Sequence, residues 1–290
     1  ALILASNADI YIAPAMNMNM WLDKSTQDNY KTLKSRGIIF IGPAQGEQAC
    51  GDVGPGRMEE PNAILEFINL KTNVGLLSGK TVTITAGPTR EQIDPVRFIS
   101  NNSSGRMGYS IAEAAIEAGA IVNLVSGPVS LSADKSVHLS RVNTANEMLK
   151  KVIEFMKESD IFIACAAVSD YKPSKYSDKK IKKEDAASLD IELEQNEDIL
   201  GRVSNDFKKA YIVGFAAETS DVTINAKKKL LSKNLDMIVS NDVSDKSIGF
   251  DVDENEVNVI TKHETIFLKK DKKIRIAREI LKIISSNINN

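Results

Sequence analysis

Thr81-Val82-Thr83-Ile84-Thr85-Ala86 alternates β-branched and apolar residues, the pattern of a buried strand. A long loop follows, Gly87 to Ser104. Met107 to Ala118 then sets Met107, Ile111, Ala114, Ala115 and Ala118 on one helical face, and Gly119 stops the helix. Ile121 to Ser126 is the next strand. Strand, helix and strand at this spacing predict a βαβ unit, with a right-handed crossover and parallel pairing.

Downstream, strands are expected at Ile161–Ala167, Tyr211–Ala216 and Met237–Val239. Helices are expected at Ala145–Glu158, Asp221–Lys233 and Lys273–Ser285, and a late hairpin joins Val257–Thr261 to Glu264–Leu268. This alternation predicts an α/β domain over residues 80–290, a doubly wound, Rossmann-like parallel sheet. Upstream, Ile10–Ala13 and Ile38–Ile41 read as short strands around a helix at Asp23–Arg36 closed by Gly37. Gln45–Arg57 holds Gly46, Gly51, Gly54, Gly56 and one proline, and is expected to be a mobile loop. A helix at Glu59–Leu70 closes a first domain, 1–70, and the polar stretch 71–79 with Gly75 and Gly79 is read as a linker.

The net charge of −2 supplies no whole-chain basic field for nucleic acid or a membrane surface. With 42% hydrophobic residues the chain can bury a core. No run of about 18 apolar residues offers a membrane span. Two cysteines, Cys50 and Cys165, make no secreted-type framework and suit a reduced cytoplasm. The chain opens without methionine inside the apolar run Ala1-Leu2-Ile3-Leu4, so we expect a chain cut within a domain.

Ligands of open α/β sheets bind beyond the carboxyl ends of the strands, here after Ala86, Ala167 and Ala216. The first such loop carries Arg97, Asn101, Asn102, Ser103, Ser104, Gly105 and Arg106. Backbone N–H groups at the helix start, two hydroxyls and two guanidinium groups suit a phosphate. Ordinary helix capping explains one of these serines but not the whole set. A dinucleotide fingerprint, G-x-G-x-x-G directly after the strand, is absent.

The run Thr85–Gly108 resembles the signature of bacterial phosphopantothenoylcysteine synthetase, the cysteine ligase half of a fused bifunctional protein. Three further matches follow in order: Ala164-Cys165-Ala166-Ala167-Val168-Ser169-Asp170-Tyr171, Lys180-Ile181-Lys182-Lys183 and Val213-Gly214-Phe215-Ala216-Ala217-Glu218-Thr219. Asn241-Asp242-Val243 also fits. The resemblance covers 80–290 and implies a ligase that joins cysteine to 4′-phosphopantothenate through an acyl-cytidylate, with CTP as nucleotide. Mg²⁺ is implied as cargo of the nucleotide, with no protein metal ligands named. The family's ligase domains are dimeric, so a homo-oligomer is implied.

By the same resemblance, Ala164, Cys165, Ala166 and Asp170 hold the nucleotide, and so do Glu197, Asp198, Ile199 and Leu200. Glu197 stands where the family often has proline. Phe215 borders the nucleotide, and Lys229 and Lys233, one helical turn apart, match the lysines that bind the triphosphate. Lys180 matches a lysine of the same site, although Lys179–Lys183 taken alone reads as a solvated charge run. Taken alone, Asp170 also reads as a cap, Phe215 as a core aromatic and the lysine pair as surface charge. Asn101 matches the asparagine set against the acyl carbonyl, and Arg97 an arginine that binds anion nearby. Ser103, Ser104, Gly105 and Arg106 are candidates for the substrate phosphate.

In the first domain, Pro14-Ala15-Met16-Asn17-Met18-Asn19-Met20-Trp21 resembles the substrate motif of flavin-dependent phosphopantothenoylcysteine decarboxylase. Ala49–Met58 resembles that family's mobile flap. The resemblance implies the back half of a flavodoxin-like domain, with Cys50 as proton donor and Asn17 on the substrate carboxylate. The only histidines, His138 and His263, lie in the ligase region, and the family's flavin site and catalytic histidine precede this motif. FMN is therefore expected in a longer parent and absent or weakly held here. Two other classes compete: a nicotinamide-dependent reductase, opposed by the missing glycine fingerprint, and a nucleotide-sensing module without catalysis.

Overall fold

The computed structural model describes residues 8–48, 51–73, 75–182, 189–218, 222–242 and 252–288. The chain divides into two compact units, Ala1–Thr72 and Asn73–Asn290.

In the first unit, β1 (Tyr11–Ile12) pairs in parallel with β2 (Ile39–Phe40). Between them lie α1 (Met18–Leu22) and α2 (Lys24–Ser35), the second capped by the Asp23 side chain on the Ser25 N–H. Trp21, Tyr30 and Phe40 meet edge to face, with ring centroids 5.4 and 4.6 Å apart. The expected loop at 45–57 is instead an antiparallel hairpin, β3 (Ala44–Glu47) and β4 (Val53–Arg57). Its glycines serve close approach: a Cβ on Gly54 would collide with the Met18 side chain, and one on Gly56 with the Met16 carbonyl. Glycine here marks tight packing as well as a turn. The helix α3 (Pro61–Asn73) runs past the expected stop at Leu70.

Among the described residues, the second unit is built on one sheet of eight strands. Its parallel part takes β5 (Thr81–Ala86), β8 (Ile121–Ser126), β9 (His138–Arg141), β10 (Ile161–Ala164), β13 (Tyr211–Glu218) and β14 (Met237–Asp242) in the order β9-β8-β5-β10-β13-β14. That is the 3-2-1-4-5-6 order of the Rossmann-type doubly wound fold, whose direction reverses between the first and fourth strands, here β5 and β10. An antiparallel hairpin, β15 (Glu254–Thr261) and β16 (Thr265–Lys272), extends the sheet beyond β14.

Strand side chains alternate between two helical layers. Val82, Ile84, Val122, Leu124, Ile161 and Ile163 pack toward α4 (Arg106–Glu117) and α8 (Lys273–Ile288). Phe162, Ile212 and Ile238 pack toward α5 (Ala145–Met156), α6 (Ile199–Asp206) and α7 (Val222–Ser232). A capping box, Thr144 with Glu147, fixes the start of α5. Gly108 lets α4 lie on β5: a Cβ there would sit 2.6 Å from that of Ala86.

The sequence reading missed six short elements of the second unit. The loop 87–104 contains the hairpin β6 (Arg90–Gln92) and β7 (Phe98–Ser100). Another pair, β11 (Tyr171–Pro173) and β12 (Leu193–Gln195), also escaped it, as did β9 and α6. Three-residue strands leave no alternation to read, and β9, His-Leu-Ser-Arg, carries one apolar residue.

Candidate functional site

Two concavities meet at the carboxyl ends of β5, β10 and β13, one on each face of the sheet. The first, about 230 Å³, opens on the side of α6 and α7. Strand β10 and its continuation deliver Ala164, Ala166, Ser169 and Asp170, and the α6 start delivers Glu197, Asp198, Ile199 and Leu200. Phe215 comes from β13, and Lys229 and Lys233 from the α7 side. Ten positions singled out for the nucleotide thus line one pocket, although about 70 residues separate the first from the last.

The pocket's electrostatics centre on Asp198 and Lys233, paired at 2.6 Å. Burial works to raise the Asp198 pKa. The Lys233 hydrogen bond, the Gly201 N–H and the charges of Lys233 and Lys229 outweigh it and hold that carboxyl below its ordinary value. Asp198 also caps α6 through Gly201, at 3.1 Å. Glu197 pairs instead with Arg202 at 2.7 Å, which draws its carboxylate along the helix. Asn196 ties the wall together, its N–H donating to the Asp170 carbonyl (2.8 Å) and its Nδ2 to the Ser169 carbonyl (2.9 Å).

The second concavity, about 130 Å³, lies on the α4 side. Ser103, Ser104, Gly105 and Arg106 form one wall, with Cys165, Phe215, Asn241, Asn255 and Lys273 opposite. Gly105 caps α4 in the left-handed region, φ 76°, where a side chain is strained. Ser103 Oγ accepts from the Gly105 N–H at 3.3 Å, and Arg106 pairs with Asp253. Cys165 lines this pocket rather than the nucleotide-type one. Burial pushes its thiol up to about 12, with the Lys273 charge opposing, so it stays neutral at physiological pH. A larger cavity, about 870 Å³, opens at Arg106, Glu113, Asp134 and Lys272, and Arg106 is the one candidate residue it touches.

Three expected residues are not among those lining the two pockets. Lys180 is exposed and lines none of these pockets. Arg97 is occupied by Asp94, with Nη2 to Oδ2 at 2.6 Å and Nε to Oδ2 at 3.0 Å, and it also donates to the Ile181 carbonyl at 3.0 Å. Its charge clamps the loop, so the expected anion-binding role finds the guanidinium already engaged. Asn101 is exposed, and its Nδ2 donates to the Val168 carbonyl at 3.0 Å, at the rim of the first pocket. The sequence reading missed Asn196, Asn255 and Lys273: none falls within a quoted motif, and Asn255 comes from β15 and Lys273 from the start of α8.

Asp94 is buried and accepts from the N–H groups of Val96, Arg97 and Ile181 as well as from the Arg97 guanidinium. The Arg97 hydrogen bond, against the opposing effect of desolvation and with help from those amides, holds its pKa far below the ordinary 3.8. A depressed carboxylate stabilises the fold above its unfolded pKa, and that contribution is lost as pH falls through the folded value. We expect Asp94→Asn to melt below the parent at pH 7, with the gap closing as pH drops below about 4. Thermal melts across that range check this, and a gap independent of pH would refute it.

In the first unit, Asn17 caps α1 and its Nδ2 donates to Asp52 at 3.0 Å, which ties the methionine-rich motif to the hairpin. Gln48 Oε1 accepts from the Met18 N–H at 2.9 Å. Cys50 lies outside the described residues. Gln48 Nε2 also donates to the Pro55 carbonyl at 3.2 Å, so the Asn17 and Gln48 side chains both hold the motif against the hairpin.

The fold and its paired pockets define a doubly wound α/β protein with a polar site at the switch point of its sheet. Residues 77–288 match the DNA/pantothenate metabolism flavoprotein C-terminal domain, and residues 1–73 match the flavoprotein model. The coenzyme A biosynthesis bifunctional protein CoaBC of Vibrio vulnificus is 44% identical over 287 residues, 98% of this chain and 72% of that protein. The protein of the same name from Bacillus subtilis is 44% identical, over 96% of this chain and 70% of its own length. A crystal structure of the C-terminal domain of a CoaBC protein is 42% identical and superposes with a TM-score of 0.64, covering 74% of this chain and 98% of that one. The chain belongs to this family of bifunctional coenzyme A biosynthesis proteins.

Proposed function

We propose that the second unit ligates 4′-phosphopantothenate to L-cysteine at the expense of CTP. The reading rests on one observation: Ala164, Ala166, Asp170, Glu197, Asp198, Ile199, Leu200, Phe215, Lys229 and Lys233 converge on a single pocket at the switch point. A lysine-bearing wall suits a polyphosphate. Asp170, on the opposite wall, suits sugar hydroxyls as an acceptor, because a carboxylate repels phosphate. Mg²⁺ arrives on the nucleotide and supplies charge neutralisation there.

In the first step a substrate carboxylate oxygen bonds to the α-phosphorus and pyrophosphate leaves. In the second, the cysteine amine attacks the acyl carbon, CMP leaves with the bridging oxygen, and the amine proton is released. The protein's part is placement of charges and exclusion of water. The phosphate end of the pantothenate chain fits the second pocket, where the α4 N-terminus and Lys273 face one another across the ridge from the nucleotide. Decarboxylation of the product to 4′-phosphopantetheine is assigned to the first unit within a flavin-binding parent, with Asn17 and Cys50 in the substrate and proton-donor roles. The exposed apolar side chains Val96, Phe98, Tyr171 and Leu193, on or beside the two short hairpins, are in keeping with a ligase dimer. A cytoplasmic setting suits this metabolism.

The test is direct: incubate the protein with CTP, Mg²⁺, 4′-phosphopantothenate and cysteine, and follow CMP and pyrophosphate. Release of both, dependent on phosphopantothenate, is expected. Pyrophosphate release that ignores phosphopantothenate would overturn the assignment.

A further inference from the structure

Ser169 lines the first pocket between Val168 and Asp170 and is only 2% exposed. Its backbone is held on both sides. The N–H donates to Thr89 Oγ1 at 3.0 Å, and the carbonyl accepts from Asn196 Nδ2 at 2.9 Å. The hydroxyl has no hydrogen-bond partner among the described residues. A buried, unpaired hydroxyl costs stability that alanine would avoid, and buried polar groups in native proteins are rarely left so. Local rules broken without structural gain concentrate at functional sites.

We infer that the Ser169 hydroxyl is a nucleotide-binding group, satisfied when the nucleoside part of the bound CTP enters the pocket. This deepens the proposed function and rests on it. Asp170, next in the chain, faces the same space and is the natural acceptor for a ribose hydroxyl. Ser169 can both donate and accept, so a sugar hydroxyl or the base edge satisfies it.

The test uses the whole chain and its Ser169→Ala variant, with calorimetric titration of CTP and 2′-deoxy-CTP and a melt of the unliganded protein. The expected result is a roughly five- to tenfold rise in the Kd for CTP, the effect of removing one neutral hydrogen bond. The unliganded melting temperature should stay the same or rise, because an orphaned hydroxyl has been removed. If the parent itself loses the same factor on 2′-deoxy-CTP and the variant no longer distinguishes the two, the contact is to the 2′-hydroxyl. If the variant loses equally on both, it is to the base or the 3′-hydroxyl. An unchanged Kd, as when the hydroxyl serves only a trapped water, overturns the inference, and so does a weakened Kd with a lowered melting temperature. A parent that binds no CTP overturns the proposed function, and this inference with it.

Discussion

Lys233→Ala is expected to weaken CTP binding by roughly a hundredfold, and Lys229→Ala by roughly tenfold. A hydrogen bond to a charged group contributes about 1.5–3 kcal/mol, and each 1.4 kcal/mol is a factor of ten. Both lysines line the nucleotide-type pocket, and under the proposed function each supplies such a contact to the triphosphate. Lys233 does more, because it neutralises Asp198 at 2.6 Å. Removing it leaves the Asp198 carboxyl, bonded by the Gly201 N–H, facing an incoming polyanion without its paired counter-charge. Adding Asp198→Asn to Lys233→Ala should therefore recover about half of the lost binding free energy, while Asp198→Asn in the Lys229→Ala background should recover little. Titration calorimetry of the parent, these four variants and Asp198→Asn alone closes the cycle. Equal effects of the two lysines, with no rescue, would show that the ion pair serves α6 alone.

Asn101→Ala is expected to slow CMP release by about 10²–10³ while CTP binding stays nearly intact, the usual effect of losing one oxyanion donor. Asn101 Nδ2 donates to the Val168 carbonyl, and Val168 and Ala166 line the first pocket. In the proposed reaction that pocket holds the acyl-cytidylate, whose carbonyl oxygen gains charge only as the amine attacks. Pyrophosphate should form in a burst and CMP should lag in a rapid-quench time course. Asn101→Asp should be slower still at the same step, because an anion opposes the developing oxyanion. Equal slowing of both products, with no trapped intermediate, would place Asn101 in activation or in holding the 167–168 turn.

Much of the fold was legible because long, strongly patterned segments carry their own signal. Thr81–Ala86 and Ile121–Ser126 form strands with the bounds read from the sequence, since both faces of a parallel strand are buried and the apolar run has no room to slip. The short hairpins around Arg90–Ser100 and Tyr171–Gln195 were illegible for the opposite reason. Their strands hold three residues each, and tertiary contacts such as the Asp94–Arg97–Ile181 clamp fix them. The glycine-rich stretch at 45–57 misled because the same residue permits a loose loop and a tight contact.

By itself the sequence determined the alternation of strands and helices, the identity of most pocket residues and the family they match. Those are properties of local pattern and of residue type. Only the tertiary structure decided which of them meet. It drew Glu197 to Arg202 and Arg97 to Asp94, placed Cys165 on the opposite face from Ala164 and Ala166, and left Lys180 outside the pocket. It also exposed the unpartnered hydroxyl of Ser169. Charge pairing and hydrogen-bond satisfaction depend on distances between residues far apart in the chain. Side-chain facing depends on where each strand ends, and a linear pattern records neither.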